Sequence, residues 1–596
     1  MVADANLKEI EIDLEALERK YAEERAKRLR TDGVDQFQEL KGKLADFDKD
    51  PNADPNFARD AIVEDVDAVL IGGGFGGLLG GARLREQGVD SFRIVEKGAD
   101  FGGTWYWNRY PGAACDVESY IYMPMLEELG YVPTERYAKG SEIFEHCQRL
   151  ARHYDLYSRA LFQTVVNRAA WDEKRNRWVV TTDRGDKLSA RFLVSCTGLL
   201  STPKLAKIPG VESFAGHSFH TSRWDYAYSG GDQTGNLTGL QDKRVGIIGT
   251  GSTGIQAIPV LGQWCKELYV FQRTPSSIDE RGNRPTDYQW IKSLKPGWQL
   301  ERRNNFASIL AGGKEDVDLV QDGWTAIVKD TAGPGVGADE QADPKELKLA
   351  EMRKMEETRR RIASIVKDPD TAEALKPYYT YFCKRPCFHD EYLDTFNRPN
   401  VHLVDTQGKG IERIVPEGVV VEGKTYELDC LVHSTGFEWL GDYSKEFGVE
   451  VIGAGGVSLA DAWKDGPRTL YGMHTRGFPN FFLMHLIQAA GSSNYVHTAD
   501  EQTQHIAFTI GECLRRGVQT VQPTEQAVES WVQEVLTLGS PRRQFLEACT
   551  PGYYNFEGNA GRVSALNEFW CGSPLEYNRR LQDWRADGDL KDLETS

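Results

Sequence analysis

The sequence has no long hydrophobic run and no excess of positive charge. No segment approaches the roughly 20 apolar residues of a membrane helix. The best candidate, residues 478–490, contains Asn480, His485 and Gln488 and predicts a buried core segment instead. The chain has 71 Lys and Arg against 89 Asp and Glu, a net charge of −18. Nucleic-acid binders usually present basic surfaces to phosphates, so we expect neither a membrane nor a nucleic-acid partner.

Cysteine is also scarce and scattered, with ten residues at positions 115, 147, 196, 265, 383, 387, 430, 513, 549 and 571. This spacing indicates neither a disulfide framework nor a zinc site, so we expect reduced, structural thiols. His217 and His220 lack a third ligand in the pattern, and no metal is expected. The charged N-terminus lacks the apolar stretch of a signal peptide, which predicts a cytoplasmic protein. The oligomeric state stays open, a monomer included.

The first 60 residues differ from the rest and predict a helical arm. Leu7, Ile10, Leu14, Leu17 and Tyr21 are spaced to form one apolar stripe on a charged helix, which residues 31–33 would end. Two interpretations are open. The stripe docks onto its own chain, which we favour, or it forms an oligomer contact.

Glycine is abundant, with 59 residues, and two of its clusters stand in equivalent places. Strands at 66–71 and 244–248 each lead into a G-x-G-x-x-G motif, followed by a helix and a second strand at 92–96 or 268–272. In such motifs the glycines allow a tight turn, close approach to a pyrophosphate and helix–strand packing. We therefore predict two dinucleotide sites, formed by Gly72, Gly74, Phe75 and Gly77 and by Gly249, Thr250, Gly251, Ser252, Thr253 and Gly254.

The residue 24 positions after each first glycine distinguishes the two ligands. Glu96 stands there in the first unit, and an acid accepts a hydrogen bond from a ribose 2′-hydroxyl, as in NAD or FAD. Arg273 stands there in the second, and a cation suits the 2′-phosphate of NADPH. FAD is favoured for the first site, because a flavin beside NADPH completes an electron-transfer chain.

These patterns predict an α/β fold with two Rossmann-like domains. Residues 1–60 form the arm, 61–205 the first part of the FAD domain, 206–400 the NADPH domain, and 401–596 the second part of the FAD domain with the C-terminal segment. A helical insertion is expected at about 286–378, where Asp343, Pro344 and Glu346 form a helix-start pattern.

Two further segments resemble signatures of the flavin-dependent (type I) Baeyer–Villiger monooxygenases. Residues 102–116 read GGTWYWNRYPGAACD, and residues 214–225 read FAGHSFHTSRWD, similar to the F-x-G-x-x-x-H-x-x-x-W-[PD] pattern. Residues 434–437 resemble the later glycine motif where the chain returns to the flavin domain. The resemblance runs from about residue 60 to the C-terminus, and the long arm resembles only a subset of the family.

The resemblance implies roles for particular residues. Arg385 is expected over the reactive face of the flavin as a catalytic residue, with Asp116 holding its guanidinium. His220 and Trp224 are expected in the linker between domains. Further cofactor contacts are implied for Gly103, Thr104, Trp105, Asp116, Tyr122 and Val166 at the flavin, and for Gln256, Arg273, Thr274, Lys384 and Arg385 on the NADPH side.

The implied reaction uses NADPH, FAD and O2. A flavin peroxide attacks a ketone, with cyclic ketones expected, and the product is an ester or lactone; Arg385 stabilises the developing negative charge. Residues 488–495 and 549–555 are expected to line the pocket. Three alternatives remain: a flavin monooxygenase acting on nitrogen or sulfur, a reductase serving a partner protein, and a non-catalytic dinucleotide sensor.

Overall fold

The computed structural model describes residues 10–331, 343–438, 448–559 and 564–596. Its largest sheet has eight strands, and Val63–Ile71 leads from it into the first glycine motif. This strand is parallel to both of its neighbours, Lys187–Ser195 and Phe92–Val95. Its residues 68–70 are fully buried, as expected for a strand covered on both faces. The other strands are Ala160–Leu161, Val166–Asp172, Arg177–Thr182, Glu450–Ile452 and Phe481–Leu483.

A second sheet leads into the second glycine motif. Its five strands are all parallel, and Arg244–Ile248 is central, just as Val63–Ile71 is an inner strand of the first sheet. The α/β class with two Rossmann-like units is therefore confirmed. In order across the sheet the strands are Val401–Asp405, Glu267–Gln272, Arg244–Ile248, Cys430–His433 and His217–His220.

The chain leaves this second sheet later than residue 400, the predicted end of the NADPH domain. Val401–Asp405 and Cys430–His433 both belong to the sheet, so residue 400 falls inside the unit. Phe437 then pairs with Pro203, and the next described strand, Glu450–Ile452, lies in the first sheet. We therefore propose that the second unit extends to about residue 437. Along the chain, an antiparallel meander lies between Val401–Asp405 and Cys430–His433. Its strands are Arg413–Val415, Gly418–Val421 and Lys424–Glu427.

Helices occupy the described part of the predicted insertion at 286–378. The longest, Pro344–Ile365, starts as its sequence predicts: the Asp343 side chain accepts from the Lys345 amide, and Pro344 stands in the first turn. Met355 and Ile362 are buried on its inner face. The others are Tyr288–Ser293, Trp298–Leu310, Gly323–Thr331 and Pro369–Ala374.

The C-terminal helices cover the first sheet. Tyr495–Arg516 packs along the fingerprint helix Phe75–Glu86, and Trp531 of Glu525–Ala548 joins the same apolar core. Residues 478–490 are buried throughout, as their composition predicts. The remaining helices are Thr104–Trp107, Ser119–Tyr122, Gly140–His153, Tyr226–Ser229, Ser252–Trp264, Tyr392–Thr395, Leu459–Ala462 and Pro574–Asp587. Short strands lie at Ile278–Asp279, Cys387–Phe388, Val521–Pro523 and Leu593–Thr595.

The N-terminal arm docks onto its own chain. Its helix, Leu14–Arg28, ends before residues 31–33, as predicted, while Leu7 of the expected stripe lies outside the described residues. Tyr21 packs into a core cluster shared with the insertion, where the guanidinium of Arg359 donates to its hydroxyl at 3.3 Å. Further on, Phe37–Gln38 pairs with Leu205–Ala206 as a short antiparallel ladder.

The expectation that all ten cysteines are reduced is wrong. Cys383 and Cys549 form a disulfide across 166 residues of sequence. Such a pairing leaves no trace in local spacing, because the fold alone brings the two segments together. The other eight cysteines are free, and all but Cys571 are buried.

In the described part of the chain, no helix has the length and apolar character that crossing a bilayer requires. Residues 10–331, 343–438, 448–559 and 564–596 likewise hold no group of three or more His, Cys, Asp or Glu side chains arranged to bind a metal ion. Nε2 of His217 instead donates to Oδ2 of Asp225 at 2.9 Å.

Candidate active site

The two glycine motifs adopt the same backbone geometry. Gly72 and Gly249 both have φ of +108°, and a Cβ at either would lie within 2.4 Å of the carbonyl oxygen of Cys196 or Ser434. A Cβ on the third glycine, Gly77 or Gly254, would collide with the carbonyl of its own first glycine. Only glycine fits these positions, so each strand turns tightly into its helix.

The second motif leaves room for a ligand. A Cβ at Gly251 would meet no atom within 4 Å, and Gly251, Ser252 and Thr253 at the start of the helix Ser252–Trp264 line the cavity. Open space before a helix N-terminus is what a pyrophosphate requires. The Thr250 hydroxyl donates to the carbonyl of Thr274 at 3.2 Å, which joins the motif to the loop after the next strand.

Glu96 closes the first motif. Its buried carboxylate accepts from the amides of Gly73 and Gly98, and burial raises the pKa of Glu96. Gly103, with φ of +51°, packs on the backbone of Gly74, and Trp105 Nε1 donates to the Tyr122 hydroxyl at 3.1 Å. The segment 102–116 therefore lies directly against the first fingerprint.

Arg385 and Asp116 form a bidentate ion pair. Nη2 of Arg385 donates to Oδ1 of Asp116 at 2.9 Å, and Nη1 donates to Oδ2. Burial alone would lower the pKa of Arg385, but Asp116 raises it well above its usual value, so the guanidinium stays charged. Trp324 completes the group: its ring centroid lies 5.1 Å from Cζ of Arg385, and its indole N–H donates to the Asp116 carbonyl at 2.9 Å.

A cationic cluster forms beside the second motif. It contains the predicted Arg273 and Lys384, together with Lys204, and the carboxylate of Glu557 lies among them. Nη2 of Arg273 is 2.8 Å from Oε2 of Glu557. Burial and the nearby Arg273 lower the pKa of Lys384 to about 8. The arm reaches this cluster as well: Gln36 accepts from Nη1 of Arg273, and Arg28 donates to Oγ1 of Thr274 at 3.2 Å.

The C-terminal segment Cys549–Gly558 lies over Arg385. Tyr553 and Tyr554 are close enough to contribute to the raised pKa of Arg385, and their ring centroids are 4.4 Å apart. Asn555 holds the segment in shape, because its amide donates to three backbone carbonyls and its Oδ1 accepts from Gly552 and Gly558. The predicted lining of 549–555 is met by Gly552, Tyr553 and Tyr554. Within residues 488–495, the cavity is lined by Gly491, Ser492, Ser493 and Tyr495. The Gln488 side chain lies outside the lining and forms hydrogen bonds with the backbone of Thr469 and Pro467.

Gln256 connects the two units. It accepts from the Tyr110 hydroxyl at 2.7 Å and donates to the Ala114 carbonyl at 2.9 Å, which ties the second fingerprint helix to the segment 102–116.

His220 and Trp224 lie apart from the cavity. The His220 ring accepts from the Ser222 amide at 3.2 Å, and Trp224 donates to Ser229 at 3.0 Å.

One continuous cavity of about 1570 Å³ joins both motifs and the ion pair. All the predicted site residues line it except Gly77 and Gly254, the third glycines of the motifs. Residues that sequence reasoning missed line it too, among them Lys204, Trp324 and Glu557. The cavity lining includes the acid Glu96 beside the first motif and the cation cluster beside the second, so its residues fit FAD and NADPH.

Two dinucleotide folds facing one cavity, with a fixed guanidinium between them, define a flavin- and pyridine-nucleotide-dependent oxidoreductase. A family model of pyridine nucleotide-disulphide oxidoreductases matches residues 69–275. The chain is 50% identical over 592 residues to neopentalenolactone D synthase of Streptomyces avermitilis, with 98% of this chain and 99% of the relative covered. It is 48% identical over 584 residues to a Baeyer–Villiger monooxygenase of Stachybotrys chlorohalonatus, with 97% and 93% covered.

Solved structures agree with these relatives. The polycyclic ketone monooxygenase of Thermothelomyces thermophila superposes with a TM-score of 0.92 at 40% identity, with 98% of this chain and 99% of that chain covered. The chain belongs to the flavin-dependent Baeyer–Villiger monooxygenases. It is an FAD- and NADPH-dependent enzyme that inserts one oxygen of O2 next to a ketone carbonyl to give an ester or lactone.

The family resemblance stated from residues 102–116 and 214–225 is thus confirmed. The alternative of nitrogen or sulfur oxidation has no support among these relatives. The match to pyridine nucleotide-disulphide oxidoreductases spans the two fingerprints and includes neither Cys383 nor Cys549, so it gives the reductase alternative no redox-active pair. Because the relatives are monooxygenases, the sensor alternative has no support either.

Proposed function

We propose that this enzyme converts cyclic ketones, bulky polycyclic ones included, into lactones, with Arg385 as the catalytic residue. The observation that carries the proposal is the bidentate Arg385–Asp116 ion pair in the wall of the cavity shared by both fingerprints. Bound FAD and NADPH supply the activated oxygen and the electrons for the reaction. The chain's own residues supply position, charge and exclusion of water.

Arg385 acts through its permanent charge. A guanidinium presents several N–H donors in a rigid fork and does not lose its proton at working pH. Negative charge develops on oxygen during the insertion, and a preorganised donor in a partly dry site stabilises that charge strongly. Asp116 raises the pKa of Arg385 above its usual value, so the guanidinium keeps its charge in this buried site.

Asp116 and Trp324 are positioning residues. Asp116 holds the guanidinium by two parallel hydrogen bonds, which fix its plane. Trp324 covers one side of the guanidinium and anchors the Asp116 backbone. Tyr553 lies on the cavity side, and burial keeps its hydroxyl neutral by raising its pKa well above the usual value.

The substrate class follows from the cavity and the relatives. Apolar side chains of Trp324, Phe545, Leu546 and Phe569 line the cavity, and an apolar wall suits a hydrocarbon skeleton. The protein of 40% identity and closely similar structure is named for polycyclic ketones. The relative of 50% identity is named for a pentalenolactone-type product. The first name supports a ketone larger than a single ring, and the second supports a lactone product.

We also propose that the first fingerprint, with Glu96, Trp105, Tyr122 and Val166, holds FAD, and that the second holds NADPH. The enzyme is proposed to work in the cytoplasm with a ketone and O2 as its small-molecule reactants. A net charge of −18 supports the expectation that nucleic acid is not a partner.

The test compares Arg385→Ala with the parent enzyme, both loaded with FAD, on cyclohexanone, a bicyclic ketone and a steroid ketone. We expect lactone from the polycyclic ketones in the parent. In the variant we expect retained FAD and continued NADPH oxidation, but roughly 100-fold less lactone, the loss typical of one oxyanion donor. Chromatography of products beside NADPH consumption makes the measurement.

Arg284→Ala is the matched control, because Arg284 lies outside the cavity lining. Its lactone yield should equal that of the parent. Lactone formation by Arg385→Ala within a few-fold of the parent would refute the catalytic assignment. A parent enzyme that converts only small linear ketones would refute the substrate class.

A further inference from the structure

The carboxylate of Glu557 lies among the cations Arg273, Lys204 and Lys384. Its side chain is only 6% exposed, and Oε2 is 2.8 Å from Nη2 of Arg273. Glu557 belongs to the C-terminal segment Cys549–Gly558, far in sequence from both fingerprints. No local motif requires a carboxylate here, so its placement calls for a physical reason.

The reason is an excess of positive charge around it. Burial opposes ionisation of Glu557, but Arg273, Lys204 and Lys384 together hold the pKa of its carboxyl below the usual range. All three cations act on the carboxylate of Glu557. A coenzyme 2′-phosphate carries about −1.5 to −2 charges near neutral pH, so it matches this cluster better than one carboxylate does. Two anions cannot share Arg273 without strong repulsion.

The backbone at Glu557 is also held in an unfavourable conformation. Phe556 and Glu557 have φ of +52° and +59°, the left-handed region that residues other than glycine rarely adopt. Asn555, by contrast, is fixed by five hydrogen bonds to the surrounding backbone. Loss of the Arg273 contact would therefore release strain at Phe556 and Glu557 while Asn555 keeps the rest of the segment in place.

We propose that Glu557 determines coenzyme specificity: its carboxylate occupies the 2′-phosphate subsite formed by Arg273 and Lys384, and NADPH must displace it to bind. This inference rests on the proposed assignment of Arg273 and Lys384 to that phosphate. A coenzyme without the phosphate leaves Glu557 in place, where it can accept a hydrogen bond from the ribose 2′-hydroxyl. Glu557 therefore lowers the preference of the enzyme for NADPH over a coenzyme that lacks the 2′-phosphate.

The test measures binding of 2′,5′-ADP and 5′-AMP to the FAD-loaded enzyme by calorimetry, in the parent and in Glu557→Gln. The two probes differ only in the phosphate. In the variant we expect binding of 2′,5′-ADP to tighten roughly tenfold, because its competitor has lost its charge. Binding of 5′-AMP should stay within about twofold of the parent or weaken slightly.

Glu547→Gln is the matched control, an exposed glutamate at the end of the helix leading into the same segment. It should change neither affinity. Unchanged or weaker 2′,5′-ADP binding in Glu557→Gln would overturn the proposal, since Glu557 would then support Arg273 instead of competing with the phosphate. If the parent itself bound 2′,5′-ADP no better than 5′-AMP, the assignment of the phosphate site would fail first.

Hydrogen exchange on the parent enzyme gives a readout that does not depend on a variant's folding. The amide of Glu557 donates to the Gly552 carbonyl at 2.8 Å. Saturating 2′,5′-ADP should speed amide exchange in residues 556–558, while 5′-AMP should not. Equal protection with both probes would contradict displacement.

Discussion

Arg385 and Lys384 are neighbours in sequence, yet their surroundings drive their charges in opposite directions. Arg385 has Asp116 against it and keeps its proton firmly, whereas Lys384 is buried beside Arg273 and has its pKa lowered to about 8. In the proposed roles of these residues, a short loop between Tyr381 and Cys387 therefore supplies one permanent cation for the reacting oxygen and one titratable cation for the coenzyme.

Coenzyme binding should weaken as the pH rises through about 8, because Lys384 then loses its charge. A bound 2′-phosphate favours the charged form, so binding raises the pKa of Lys384 and takes up a proton. We expect the affinity for 2′,5′-ADP to fall roughly tenfold from pH 7 to pH 9, with 5′-AMP unaffected. Calorimetry in buffers of different ionisation enthalpy measures both the affinity and the proton uptake.

Lys384→Arg supplies the control for that pH dependence. Arginine stays protonated throughout this range, so its affinity curve should be flat. A curve in Lys384→Arg as steep as that of the parent would assign the titration to another group and contradict the role of Lys384.

Residues with a sequence signature could be placed in the site before the structure was known, and those without one could not. Glu96 and Arg273 were identifiable by their offset from a glycine motif, and Arg385 by family resemblance. Trp324, Lys204 and Glu557 stand in no motif, and they reach the cavity only because a helix of the insertion, a linker and the C-terminal segment fold over it. Their roles depend on tertiary contacts that leave no local pattern.

At the scale of elements, the strand–glycine–helix units followed directly from the sequence. Their geometry is local: a buried strand, a tight turn and a helix that only glycine allows. The end of the second sheet did not follow, because Val401–Asp405 and Cys430–His433 pair in parallel with strands more than 100 residues away. Nothing in either strand indicates which sheet it joins.

The disulfide joins two elements that the mechanism needs together. Cys383 precedes the Lys384–Arg385 pair, and Cys549 begins the segment that carries Tyr553 and Glu557. Thiol titration of the denatured enzyme should find eight free thiols before reduction and ten after it. Because the bond closes a long loop, reduction should also cost about 2–4 kcal/mol of stability and lower the Tm by several degrees.

A double variant, Cys383→Ser with Cys549→Ser, should melt at the lower temperature and be insensitive to reductant. Cys387→Ser, which alters a free cysteine of the same loop, should keep the response of the parent. Ten thiols before reduction would contradict the disulfide directly.

At the scale of the whole molecule, the arm binds parts of the chain that are distant from one another. Arg25 donates to the carbonyls of Glu547 and Cys549, and Arg28 donates to Thr274. Asp48 pairs with Arg223 and Lys97. The arm therefore touches the C-terminal segment, the second sheet and the first sheet, and it stabilises their relative arrangement.

Arg28→Ala should weaken NADP⁺ binding about three- to tenfold and lower the Tm. Arg28 is only 7% exposed, and its loss leaves the half-buried Glu24 without its closest partner and Thr274 without its donor. Arg19→Ala is the control, because Arg19 is 67% exposed on the same helix. Equal effects of the two variants on NADP⁺ affinity, measured by calorimetry, would refute a specific role for the arm.

The two chain crossings between the sheets lie side by side. Lys204 donates its amide to the Gly436 carbonyl at 2.9 Å, and Glu438 donates to Thr202 at 3.1 Å. Backbone hydrogen bonds therefore tie the two crossings to each other. The disulfide adds a second fixed point, since Cys383 is anchored in the NADPH half and Cys549 ends a helix packed on the FAD half. While the disulfide is intact, the C-terminal segment therefore stays covalently attached to the loop that carries Lys384 and Arg385.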